Sequence, residues 1–234
     1  MPLRELRKRP FVQPAATDRH SHKREPWPMK VALVLFVTGL QLSTFFATYR
    51  IYHIIPYTNY LEVSTSWDYD IPYLRWSWTV YYFGFVYIIG WGAFGIWRFS
   101  RSALYRTISV YTGLVMCGAI LHLLIPTQAP WPLIEHITAA QHSFKDSYAI
   151  EPLACFPSMH VALAAFPCLI SLLVIKSRAG RVLSVLLATA VSISVVTAKE
   201  HWLLDAVSGA LLGLLAFWVW KRTVSNVLST ARQT

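Results

Sequence analysis

The chain has 234 residues, of which 55% are hydrophobic and 15% aromatic, and only 14% are charged. Soluble domains carry about 25% charged residues, so this composition excludes an ordinary soluble enzyme and points to a membrane protein. The formal net charge of +10 would suit a nucleic-acid or acidic partner if it were clustered on one patch, but its distribution follows membrane topology instead.

A spanning helix needs about 20 mostly apolar residues. Six runs meet that need in chain order, at 30–49, 78–97, 107–126, 159–175, 182–198 and 203–220. The expected fold is therefore an all-α integral membrane protein with six transmembrane helices. With the N-terminus in the cytoplasm, the inner segments hold eight Lys and Arg in residues 1–30, then Arg98, Arg101 and Arg106, then Lys176, Arg178 and Arg181, and three more after residue 220. The outer loops keep Arg50, Arg75, Lys145 and Lys199. This is the positive-inside pattern, and it puts both termini in the cytoplasm. Trp67, Trp76, Trp78, Trp131 and Trp202 fall near the outer interface, and Trp27, Trp97, Trp218 and Trp220 near the inner one, as aromatic belts require. Trp91, in mid-span, is the exception.

Residues 1–29 are basic and poor in apolar residues, and read as a disordered cytoplasmic tail. The membrane domain is expected over 30–222, with a short cytoplasmic tail at 223–234. The first span is of full length and ends in FFATYR without a small-residue cleavage site, so it reads as a helix and not as a signal peptide. Cys117, Cys155 and Cys168 are odd in number and widely spaced, which implies neither a disulfide framework nor a metal knuckle.

On this topology the unusual polar residues gather at the outer face: Asp70, the turn IPTQAPWP at 125–132, PSMH at 157–160 and AKEHWLLD at 198–205. His201 and Asp205 are four apart, so on a helix they share one face. A carboxylate there can fix the tautomer of the imidazole and raise its basicity, leaving the other nitrogen to act as nucleophile or base. The plainer alternative is an interfacial histidine beside a first-turn carboxylate that favours the helix dipole. Pro157 and Ser158 look like the start of a helix, with Ser158 as N-cap and His160 in the first turn. Free N–H groups make such a place a phosphate seat, although a cap and a hydrated histidine explain it equally.

Together the two sites suit phosphoryl transfer. One histidine attacks phosphorus, donors hold the equatorial oxygens, and the second histidine protonates the leaving alkoxide. Lys199 offers a cationic donor or, alternatively, an interfacial anchor. Zinc is the competing reading, held by His160, His201 and Asp205 with His136 or His142 from the outer loop. It is disfavoured by the spacing and by the expectation that no cysteine is placed to assist.

PSMH followed some forty residues later by KEHWLLD resembles the second and third signatures of the type 2 phosphatidic acid phosphatase superfamily, over roughly residues 65 to 215. The resemblance implies six-helix enzymes that work through a phosphohistidine, with no metal and no cofactor. It makes His201 the nucleophile, Asp205 its orienting partner and His160 the acid that later activates the acceptor. The superfamily's Ser-Arg pair ahead of the nucleophile is matched here by Ser194-Val195, so that arginine is absent. PTQAPW at 126–131, DIP at 70–72 and TAKEH at 197–201 resemble instead the branch of inositol phosphorylceramide synthase and related head-group transferases. The superfamily resemblance implies a phosphate contact for Ser158, and the likeness to this branch implies phosphate or substrate contacts for Lys199, Thr127 and Trp131.

The expected function is thus a lipid phosphatase or phospholipid head-group phosphotransferase. Its partners are a phospholipid or polyprenyl phosphate and the surrounding membrane lipids, with no nucleic acid. The short chain and loops point to a bacterial inner membrane. The stretch PLIEHITAAQHSF reads either as an interfacial helix over the entrance or as a packed surface loop. A lipid-binding or transport protein that keeps the fold without the chemistry is the alternative from another class, supported by the missing arginine.

Overall fold

Inside lipid each backbone N–H and C=O must be satisfied within its own segment, so long apolar runs fold as helices. The computed structural model describes residues 27–54, 60–99, 101–130 and 155–230. The six apolar runs appear there as α1 (Trp27–Ile54), α3 (Ser77–Arg98), α4 (Arg101–Leu124), α5 (Met159–Val174), α6 (Arg178–Thr197) and α7 (Leu203–Thr230). A short helix, α2 (Ser66–Asp70), lies in the loop after α1. No strand forms among the described residues. One isolated parallel bridge, Leu61 with Thr127, ties two loops together, and the Leu61 N–H donates to the Pro126 carbonyl at 2.8 Å.

Four of these helices contain stretches long and apolar enough to cross a membrane: Val31–Thr48, Ala103–Leu124, Arg178–Thr197 and Leu203–Thr223. Of the other two predicted spans, α5 is apolar but has only 16 residues, and α3 is rich in Tyr and Trp. α1 already begins at Trp27, and α7 runs past residue 222 to Thr230, while residues 1–26 lie outside the described part.

α5 is the centre of the bundle, packed against α3, α6 and α7. Leu163, Phe166 and Ile170 join a core with Leu114 and Trp220. Val161, Ala164 and Cys168 join a second core with Trp78, Tyr81, Val191 and Val195. A helix that is apolar on every side is either buried or faces lipid, and α5 is buried while α1 leaves Leu35, Phe36, Leu42 and Phe46 exposed. Trp91, the odd tryptophan of the sequence, is accounted for by this packing. Its indole N–H donates to Ser171 Oγ at 2.7 Å, which satisfies the polar atom within the bundle.

The contact of α5 with α7 depends on missing side chains. Gly209 and Gly213 are one turn apart on α7. A Cβ on Gly209 would run into the Ser158 carbonyl oxygen, and one on Gly213 would lie 2.7 Å from the Ala162 carbonyl oxygen. Small residues four apart allow membrane helices this close approach. It brings the N-terminus of α5, which carries His160, against the first turns of α7, which carry Asp205.

Candidate active site

His160 is the second residue of α5. The helix starts where the sequence suggests, with Ser158 as N-cap accepting from the Val161 N–H. Ser158 is fully buried, and its own N–H donates to the Asp205 carbonyl at 2.9 Å. The PSMH segment is thereby stitched to α7 through backbone as well as packing.

His201 lies in the turn between α6 and α7. His160 Nδ1 and His201 Nε2 stand 3.3 Å apart, within hydrogen-bond reach although the residues are 41 apart in sequence. On the other edge of His201, Nδ1 is 3.5 Å from Asp205 Oδ2. That oxygen also accepts from the Trp202 N–H at 2.9 Å, so Asp205 caps the start of α7 as well as facing the imidazole. His201 Nδ1 and Asp205 Oδ1 are both buried without a hydrogen-bond partner. The rings of Tyr81 and Phe85 on α3 pack against His160, at 4.6 and 5.2 Å between centroids.

Polar ties from distant segments hold the turn that carries His201. Asp68, on α2, is almost fully buried. Its Oδ2 accepts from the Thr65 N–H and hydroxyl at 2.8 and 2.7 Å, and its Oδ1 from the N–H of Leu203 at 2.7 Å. A carboxylate at that helix start is favoured by the exposed N–H groups and the dipole. Trp202 Nε1 donates to the Gln128 carbonyl at 2.7 Å. Lys199 has φ 57°, the left-handed region that costs a side-chain-bearing residue about 1–2 kcal/mol. Its ammonium donates to the carbonyls of Asp68 and Ile71, both at 2.8 Å. Burial pushes the Lys199 pKa down, and the nearby Asp68 carboxylate offsets only part of that shift.

The residues suggested by sequence therefore separate. His160, His201, Asp205 and Ser158 come together. Lys199 has two of its three donors on backbone carbonyls, so it serves first as a tie for the turn. Thr127 is buried, and its Oγ1 accepts from the N–H groups of Cys155 and Phe156 at 3.1 and 2.9 Å. That bond shapes the approach to PSMH. Asp70 of DIP is exposed, and it is Asp68, two residues earlier, that makes the buried contacts. Trp131, His136, His142 and the PLIEHITAAQHSF stretch lie outside the described residues.

Three neighbours were not singled out from the sequence. Asp68 is one. His122, near the end of α4, donates from Nε2 to the Pro157 carbonyl at 2.9 Å. Cys155 is the third, and it corrects the expectation that no cysteine is suitably placed: Sγ and ligand atoms of His201 and Asp205 all lie within 4.8 Å of one another, and all three residues are buried. The C-F-P-S-M-H spacing held the clue, because a residue three before an N-cap can turn back toward the helix start.

Two histidines and a carboxylate thus meet at one end of a bundle of apolar helices. Residues 57–219, well over half of the chain, match the family model described as PAP2 superfamily, and the chain belongs to that superfamily. No curated protein and no solved structure matches it. Membership is consistent with phosphatase or phosphotransferase chemistry and, with the apolar helices, with an integral membrane protein.

Proposed function

We propose that this chain is a six-span lipid phosphatase or phospholipid head-group phosphotransferase that works through a phosphohistidine on His201 at the outer face of its membrane. The observation that carries the reading is the meeting of His160 and His201 at 3.3 Å with Asp205 behind His201. Asp205 holds the proton on Nδ1, which leaves the Nε2 lone pair to attack phosphorus. His160 Nδ1–H faces that nitrogen and gives its proton to the leaving alkoxide. It then takes a proton from water or from a lipid hydroxyl, which attacks the phosphohistidine. The N–H groups at the start of α5 are suited to the phosphate oxygens.

An attacking nitrogen needs phosphorus at about 3–3.5 Å, and the acid must reach the leaving oxygen at about 2.6–3.2 Å. Two nitrogens 3.3 Å apart leave no room for that group between them. Substrate entry therefore separates the histidines, and His160, the more exposed of the two, is the one that moves against Tyr81 and Phe85. Ser158 contacts the phosphate, whereas Thr127 and Lys199 position the segments that carry the histidines. DIP, PTQAPW and TAKEH favour the branch of inositol phosphorylceramide synthase and head-group transferases over simple phosphatases.

The test is to follow phosphorus from labelled phosphatidic acid, phosphatidylinositol and a polyprenyl diphosphate, with and without ceramide or diacylglycerol. A new phosphorylated lipid marks a transferase and free phosphate a phosphatase. His201→Ala abolishes either product in a folded, membrane-inserted protein, and retained turnover overturns the assignment. A second reading, a lipid-binding protein without chemistry, draws on one observation: Val195, where the superfamily carries arginine, is buried in the apolar core. Failure of every donor to react in folded protein supports it.

A further inference from the structure

We propose that Cys155, His201 and Asp205 form a binding site for a zinc-like divalent cation, and that its occupancy switches the phosphoryl-transfer site off. The metal here is an inhibitor and takes no part in turnover. Three observations converge on it. The three ligand atoms already lie within 4.8 Å of one another. Zinc bonds of about 2.0–2.3 Å place ligand atoms about 3.3–3.8 Å apart in a tetrahedron, so closing on an ion requires shifts of about 1 Å. Next, His201 Nδ1 and Asp205 Oδ1 are buried polar atoms that make no hydrogen bond to protein, and Nδ1 meets Asp205 only through a 3.5 Å contact with Oδ2. Finally, one sulfur, one imidazole nitrogen and one carboxylate oxygen suit zinc over magnesium or calcium, and three protein ligands leave the fourth tetrahedral position open.

The nitrogen that meets the ion is Nδ1, because Nε2 faces His160. Before binding, Nδ1 carries the imidazole proton and Nε2 the lone pair. The metal takes the Nδ1 lone pair, the imidazole proton passes to Nε2, and the Cys155 thiol proton goes to solvent. Asp205 enters as carboxylate, so one proton is released. His201 is then left with an N–H where it needs a lone pair, and it can no longer attack phosphorus. Apart from binding itself, this switch rests on the assignment of His201 as the nucleophile.

Cobalt reports the site directly, since a tetrahedral cobalt–thiolate centre has a near-ultraviolet charge-transfer band and strong visible bands. Purified full-length protein in lipid is titrated with Co2+ and then with Zn2+. The expected result is one cobalt centre with the thiolate band, displaced by zinc, lost in Cys155→Ser and in His201→Gln, and kept in Cys117→Ser and Cys168→Ser. Thermal melting of each variant without metal checks its fold. Absence of the band in wild type, or its persistence in Cys155→Ser, overturns the site. Phosphate-ester turnover is then measured with and without Zn2+ for each protein. A reversible loss of tenfold or more in wild type that Cys155→Ser escapes supports the switch, and equal inhibition of both overturns it. A protein that binds cobalt but turns over no donor overturns the catalytic reading, and the switch with it, while the metal site stands.

Discussion

The two histidines are held in different ways. His160 rides on α5, a helix buried on all sides and pressed onto α7 through Gly209 and Gly213. His201 sits on a turn fixed by hydrogen bonds that Lys199 and Trp202 donate and that the carboxylates of Asp68 and Asp205 accept. Packing is steep and non-directional, so it fixes the position of a whole helix. Hydrogen bonds are directional, and here they fix the backbone turn that carries the ring. On the proposed mechanism, the acid that makes way for substrate has the first kind of support, beside the rings of Tyr81 and Phe85. The proposed nucleophile has the second.

That contrast can be broken most severely on the packing side. Gly209→Leu puts a side chain into the Ser158 carbonyl and separates α5 from α7, so turnover falls to background and the melting temperature drops. Overpacking costs about 1–3 kcal/mol in cores that can relax, and backbone gives less readily than side chains. Gly113→Ala is the control, because nothing lies within 4 Å of a Cβ there. It is expected to be neutral or to stabilise by about 0.5–1 kcal/mol.

On the hydrogen-bond side, Asp68→Ala leaves the N–H groups of Thr65 and Leu203 without their acceptor, at about 1–3 kcal/mol for each buried group. A fall in kcat of more than tenfold is expected, whereas Asp70→Ala, at an exposed position, changes stability by less than about 0.5 kcal/mol. Equal effects from the two substitutions would remove the clamp. Lys199 gives a finer test. Lys199→Ala loses both carbonyl ties and keeps the left-handed strain, while Lys199→Gly loses the ties but relieves about 1–2 kcal/mol of strain. Glycine should therefore melt higher than alanine, with kcat reduced in both and KM little changed. A large rise in KM in both variants would return Lys199 to the phosphate. The smallest effect is expected at Thr127, where serine keeps the acceptor for the Cys155 and Phe156 N–H groups and valine removes it. The valine variant should lose about 1–2 kcal/mol and the serine variant less.

The helices and the principal residues of the candidate site are legible because their signals are local. Apolar runs of spanning length gave the six long helices, and Ser158 declared the start of α5 through its place before MHVALAAF. His201 and Asp205 were readable as a pair because four residues make one turn. What escaped depends on contacts between distant segments. Asp68 meets Leu203 across 135 residues, and nothing in SWDYDIP distinguishes the buried acid from the exposed one. His122 looks like one polar residue at the end of a span, and only the fold brings it to Pro157. Cys155 was read by cysteine spacing, and no second cysteine is its neighbour. The glycines of α7 look like ordinary membrane-helix residues until α5 lies against them.

The most direct measurement is to trap the intermediate. Wild type, His160→Ala and His201→Gln are mixed with a 32P-labelled phosphate ester that has an activated leaving group, then quenched in alkali. A phosphohistidine on His201 predicts acid-labile, alkali-stable label on wild type, more label on His160→Ala because its second step lacks a base, and none on His201→Gln. Label that survives in His201→Gln, or turnover in wild type with no labelled protein at any time, would contradict the phosphohistidine.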